Sequence, residues 1–167
     1  MIMKNIAITL VALMTVIIAS CNNIKCEKKE SNNSKTENKL IFGKGEKITN
    51  SNFTGNAWLN SLIESDSLNQ NAVGSVTFEP GARTNWHSHP AGQIILALEG
   101  IGYYQEEGKS IEIIQKGDVV KCPHNVLHWH GASPENEFIQ IAITGRENGE
   151  TIWLKPVTDE EYNSYKN

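Results

Sequence analysis

From Leu40 onward the apolar runs of this chain are short and rich in β-branched and aromatic residues. Gly, Pro and Asn cut them at close intervals: Pro80-Gly81, Pro90, Gly100, Glu107-Gly108, Lys116-Gly117, Pro123-His124-Asn125, Ser133-Pro134 and Asn148-Gly149. Runs bounded this way fit half-buried strands and leave no room for ordinary helices. Strands are expected at Phe53–Leu62, Val73–Glu79, Gln93–Glu99, Gly102–Gln105, Ser110–Gln115, Val119–Lys121, His128–Gly131, Glu137–Thr144 and Thr151–Lys155. Many short strands with regular turns imply an all-β sandwich or barrel. The exception stands near the end, where Thr158-Asp159-Glu160-Glu161 has the spacing of a capping box and opens a short helix through about Tyr165.

The first 39 residues read differently. Lys4 precedes an apolar run from Ile6 to Ala19, which ends at Ser20-Cys21. A basic start, a short apolar stretch and small residues before a break mark a secretory signal over residues 1–20. Ile18-Ala19-Ser20-Cys21 resembles a bacterial lipobox, whose Cys is acylated, so Cys21 is expected to anchor an exported lipoprotein at a membrane surface. Residues 21–39 are then a tether dominated by Asn, Ser, Lys, Glu and Thr, too poor in apolar surface to offset the entropy of ordering. Residues 40–167 form the folded domain.

That domain holds nine basic and sixteen acidic side chains, a net charge of −7, which repels phosphate backbones and argues against a nucleic-acid partner. With Cys21 committed to lipid, only Cys26 and Cys122 remain, and no CxxC pair or disulfide framework is present.

All five histidines lie between residues 87 and 130. His87 and His89 are two apart, so on a strand both rings project from one face, and His128 and His130 repeat the arrangement. Two such pairs on facing strands can converge inside a barrel, where neutral imidazole is the commonest metal ligand. His124 falls in an expected turn and should face solvent. Trp86 and Trp129 adjoin histidines and should face the opposite way, as packing residues. Arg83 and Asn85 lie just before the first pair and either meet a substrate or cap a turn. Phe78, Val76 and Ile141 are candidates for an apolar mouth, and of Tyr103 and Tyr104 only one can look inward.

The spacing of these residues resembles that of the cupin superfamily of small β-barrels. Its first motif is matched at Gly81-ARTNW-His87-Ser-His89-PAG-Gln93-IILALE-Gly100, and its second at Gly117-DVVKC-Pro123-His-Asn125-VL-His128-WHG-Ala132, sixteen residues later. Asn125 stands where the motif has Gly, and Asn is the side chain that best tolerates the left-handed conformation. Gln93 replaces the usual Glu. The segments SVTFEPGARTNWHSHPAGQ, HWHGASP, PVTDEEY and FTGNAWLN are similar to the small cupins that include manganese-dependent bacterial hydroxynitrile lyases.

This resemblance implies a double-stranded β-helix (a jelly-roll barrel) holding one divalent metal, with manganese first and iron, nickel or zinc as alternatives. It implies His87, His89, Gln93 and His128 as the metal ligands, and a homodimer. Gln93 as ligand would leave the ion its full +2 charge; otherwise the amide hydrogen-bonds within the barrel. Two roles fit His130: moving a proton as catalytic base, since free imidazole titrates near 6.5, or fixing a ligand's tautomer. Three functions remain open from sequence: a metal-dependent lyase acting on a small hydroxyl- or carbonyl-bearing molecule, a non-haem dioxygenase of the quercetinase type, and a non-catalytic small-ligand-binding lipoprotein.

Overall fold

The structure is a computed structural model and describes residues 40–166. The expected signal, Cys21 and the tether lie outside the described residues. Twelve strands form in chain order: β1 (Glu46–Lys47), β2 (Phe53–Thr54), β3 (Ala57–Ile63), β4 (Asn71–Phe78), β5 (Arg83–Thr84), β6 (His87–Ser88), β7 (Gln93–Glu106), β8 (Glu112–Gln115), β9 (Val119–Cys122), β10 (His128–Ala132), β11 (Phe138–Gly145) and β12 (Ile152–Trp153). A short helix, α1 (Asp159–Asn163), follows, continued by one tight turn over Ser164–Lys166.

Every pairing is antiparallel, and the strands run β1-β3-β4-β11-β7-β10-β5-β2, with β6 joining β10 to β12 and with β8 and β9 on β7. The long strand β7 belongs to both halves of this curled sheet. Its first part, from Gln93, pairs with β9 and β11, and its second part pairs with β8 and β10. Sequence punctuation at Gly100 predicts two strands here; the chain instead bends without stopping. Gly100 has φ 79°, and a Cβ there would lie 1.8 Å from the Glu137 carbonyl oxygen, so glycine permits both the turn in direction and the close approach of the neighbouring strand.

The expected Phe53–Leu62 strand splits around Gly55, which also has positive φ. Strands β1, β5 and β6, of two residues each, carry too little pattern to be seen in the sequence.

Alternation along the strands sorts side chains into two apolar clusters. One fills the interior with Val76, Phe78, Ile95, Ala97, Tyr104 and Phe138 among others. The second joins Trp86, Tyr103, Ile111, Trp129, Val157 and Tyr162. Tyr104 is therefore the inward tyrosine, and the two tryptophans pack away from the histidines, as expected. The Thr158 capping box forms in both directions: Thr158 Oγ1 accepts from the Glu161 amide at 3.1 Å, and Glu161 Oε2 accepts from the Thr158 amide at 2.8 Å. Arg83 pins this segment, donating from Nη2 to Val157 O at 3.0 Å and to Asp159 Oδ1 at 2.7 Å, with its guanidinium 4.5 Å from the Tyr162 ring centre. Arg83 thus holds the C-terminal segment.

Replacing Gly100 by Ala forces a left-handed backbone on an L-residue and a clash with Glu137 O. We expect a loss of roughly 3 kcal/mol or more in urea unfolding. A loss below about 1 kcal/mol would show that the bend in β7 is not constrained in this way.

Candidate metal centre

His87 enters from β6, His128 and His130 from β10, and Gln93 opens β7; His89 follows β6 directly. In register, His128 pairs with His87, which brings the two pairs of histidines face to face. The rings of His87 and His128 are centred 4.3 Å apart, with His89 5.0 Å from His87 and 5.4 Å from His128. One ring nitrogen from each of His87, His128 and His130 lies within 4.8 Å of the others, so these three can hold a metal ion. His130 is thus as central as the residues that the motif marks as ligands, a proximity that sequence reading leaves open.

All four rings and the Gln93 amide are buried. Burial of the charged form holds His87 and His130 well below the ordinary imidazole value, with neighbouring histidines acting the same way. His89 is lowered to about 3 by burial first, then by His128 and Arg146, against a contact with Gln93 that raises it. His128 is lowered by burial too. The cluster is therefore neutral, the form in which imidazole ligates.

The hydrogen bonds around the cluster separate its members. His87 Nδ1 donates to the carbonyl of Asn85 at 2.9 Å, and His128 Nδ1 donates to the carbonyl of Val126 at 2.9 Å. A carbonyl only accepts, so in both rings the proton sits on Nδ1 and Nε2 keeps its lone pair. His89 Nδ1 lies 3.1 Å from Thr151 Oγ1. Gln93 Nε2 donates to Thr144 Oγ1 at 2.9 Å, which turns Oε1 to the other side, where it accepts from Cys122 Sγ at 3.9 Å. His89 Nε2 and His128 Nε2 are buried without any partner. An unpaired buried polar atom costs about 1–3 kcal/mol, and two in one cluster are accounted for when a cation takes both lone pairs. The residues present therefore fit a divalent ion.

His130 differs in its environment. Its backbone amide is held by Thr84 Oγ1 at 3.1 Å, and its ring meets Phe78 edge-on with centres 5.8 Å apart, but ring atom Nδ1 has no partner. No acceptor fixes its tautomer. Beside the cluster lies a cavity of about 120 Å³ lined by His87, His89, Gln93 and His130, by Phe53, Val76, Phe78, Thr84, Ala142 and Trp153, and by Thr144, Arg146 and Thr151.

Phe78 and Val76 therefore line the mouth, whereas Ile141 does not; it pairs with Ser75 and Leu96, one residue out of phase with the inward Gln140 and Ala142. Arg83 and Asn85 do not reach the cavity: the Asn85 side chain donates to Ser51 O at 3.1 Å, and its carbonyl orients His87. His124 is exposed in its turn, and Asn125 takes the left-handed conformation at φ 60°. Sequence reading missed Thr144, Thr151, Arg146 and Trp153. A signal existed for Thr144, since Gln140 and Thr144 are polar at an even spacing within an apolar strand. The other three depend on how the 146–153 segment returns across the cavity.

The sequence profile described as "Cupin domain" matches residues 74–141. The chain is 43% identical over 111 residues to an (R)-mandelonitrile lyase from Granulicella tundricola, spanning 66% of this chain and 85% of that relative. This chain belongs to the cupin family. Among solved structures, a cupin-like protein from Thermotoga maritima is 47% identical with a TM-score of 0.73, covering 75% of this chain and 96% of that one. A cupin 2 conserved barrel domain protein from Rhodopseudomonas palustris, at 13% identity and a TM-score of 0.56, covers 70% of this chain and 78% of its own and shares the fold.

Thr144→Val removes the acceptor that orients Gln93. A roughly 10-fold or greater weakening of divalent-metal binding is expected, read by competition with a chelator, and Thr144→Ser should restore it. Unchanged affinity in the valine variant would separate Gln93 from metal binding.

Proposed function

We propose that this chain is a divalent-metal-dependent cupin enzyme acting on a small hydroxyl- or carbonyl-bearing molecule. Its specific reaction in this reading is cleavage of a cyanohydrin to an aldehyde and hydrogen cyanide, together with the reverse addition. The identity to a mandelonitrile lyase supports the reaction class. The observation that carries the division of labour is the pattern of ring hydrogen bonds. The Nδ1 atoms of His87, His89 and His128 each meet a protein oxygen, whereas that of His130 meets none.

In this reading His87, His89 and His128 hold the ion through Nε2 and Gln93 through Oε1. A bound divalent ion, manganese first, with iron, nickel or zinc as alternatives, supplies Lewis-acid stabilisation of negative charge developing on a substrate oxygen. His130 takes the hydroxyl proton at Nδ1, the atom with no competing partner, and returns it to the departing cyanide, so that proton and charge balance. Burial keeps His130 neutral, the form that can take a proton, while lowering its basicity. Phe53, Phe78 and Trp153 bind the apolar part of the substrate, and their rings displace water from the reacting end.

The test is a pair of variants. His128→Ala should lose the metal by elemental analysis. His130→Ala should retain it, keep the fold by circular dichroism, and lose cyanohydrin cleavage by about 10²–10⁴-fold. Metal loss in His130→Ala with retention in His89→Ala would instead make His130 a ligand. Oxygen uptake without cyanohydrin cleavage would move the chain to the dioxygenase class.

The reading extends to location and assembly: an exported lipoprotein anchored through Cys21, with the barrel beyond the tether and paired as a homodimer. Cys21→Ser should release the protein from the membrane fraction, while a variant that stays membrane-bound would overturn acylation as the anchor.

A further inference from the structure

Of the thirteen residues lining the cavity, Arg146 is the one Asp, Glu, Lys or Arg side chain. Its side chain is 23% exposed, and its charge is felt at His89. The guanidinium has five N–H donors in a planar fork. Both of its recorded bonds leave from Nη1: one to Thr151 Oγ1 at 3.0 Å, and one to Glu150 Oε2 at 3.0 Å. The Nε–Nη2 edge has no partner among the described residues. That edge presents two parallel N–H groups, the geometry that receives a carboxylate bidentately. Glu150 is a weak competitor because it is 86% exposed and engages the other end.

The surroundings select the anion. A domain with net charge −7 disfavours anions in general, so a lone positive group facing a cavity is a local reversal of the field. One guanidinium balances one negative charge, which suits a monoanion better than a phosphate dianion. The volume of about 120 Å³ is below the roughly 150 Å³ of a cavity that accepts benzene, so the ligand is small.

We propose that the free edge of Arg146 is an anion subsite, and that the cavity accepts small 2-hydroxy or 2-oxo acids with the carboxylate on Arg146 and the hydroxyl or carbonyl oxygen toward the histidine cluster. This rests on the reading of the cavity as the substrate site, and it widens the ligand class beyond uncharged cyanohydrins. Thr151 has a part in placing the subsite, since its Oγ1 meets both Arg146 and His89.

Lactate and lactamide have nearly the same shape and differ in charge. Their dissociation constants are to be measured by calorimetry on the full chain, with and without manganese. The wild type should prefer lactate. Arg146→Met should weaken lactate at least tenfold and leave lactamide within twofold. Arg146→Lys should recover part of the preference, and Glu150→Gln should tighten lactate. Equal losses for both ligands, or no loss for lactate, overturn the subsite. The Arg146-dependent preference should persist without manganese, so a failure to bind metal would sink the enzymatic reading and leave this proposal standing on its own result.

Discussion

Four imidazoles and a carboxamide occupy the inside of one small barrel, and burying so many polar groups is the constraint that the remaining structure answers. Each group is held at its outer end by a protein oxygen, with His130 as the exception. Two of those oxygens are main-chain carbonyls, of Asn85 and Val126, and each lies two residues before the ring it orients. The His-x-His spacing is therefore joined to a second local regularity. The backbone that delivers the ring also fixes where its proton sits, without a further side chain having to be positioned.

The same alternation that sends His128 and His130 inward sends Trp129 outward, where it is fully buried and donates from Nε1 to Gln105 Oε1 at 2.7 Å. The histidine strand is thus gripped from behind by an aromatic layer that includes Tyr162 of α1. Tyr162 closes the arrangement by donating from its hydroxyl to Ala132 O, on the last residue of that strand, at 2.7 Å. A polar interior stays rigid here because the opposite face of the strand is apolar and closely packed.

Much of this was legible in the sequence, and what was not has a physical reason. The His pairs and the turn at Asn125 follow from strand alternation and turn chemistry, which are local, whereas Gln93 stands out only through the resemblance to the cupin motif. The capping box at Thr158 is local too. The continuity of β7 through Gly100 was not legible, because a glycine that ends a strand and a glycine that bends one look alike until the partner strand is known. Arg146, Thr151 and Trp153 belong to a return segment placed by β12 pairing with β6, where Trp153 lies opposite His87. Such long-range placement leaves no periodic trace. The proximity of His130 to His87 and His128 likewise depends on the curl of the sheet and not on spacing.

The passage of β7 through both halves of the curled sheet joins them by one unbroken strand. Gln93 at one end of that strand and Tyr104 near the other, whose ring lies 5.6 Å from His128, are parts of one continuous backbone. Cutting the chain near residue 100 would not yield two self-sufficient pieces, since each would lack the shared rib against which its neighbours align. New sequence is better accommodated where the chain already bulges into water, as around the exposed Leu68 between β3 and β4, where an insertion leaves the strands that carry the histidines intact.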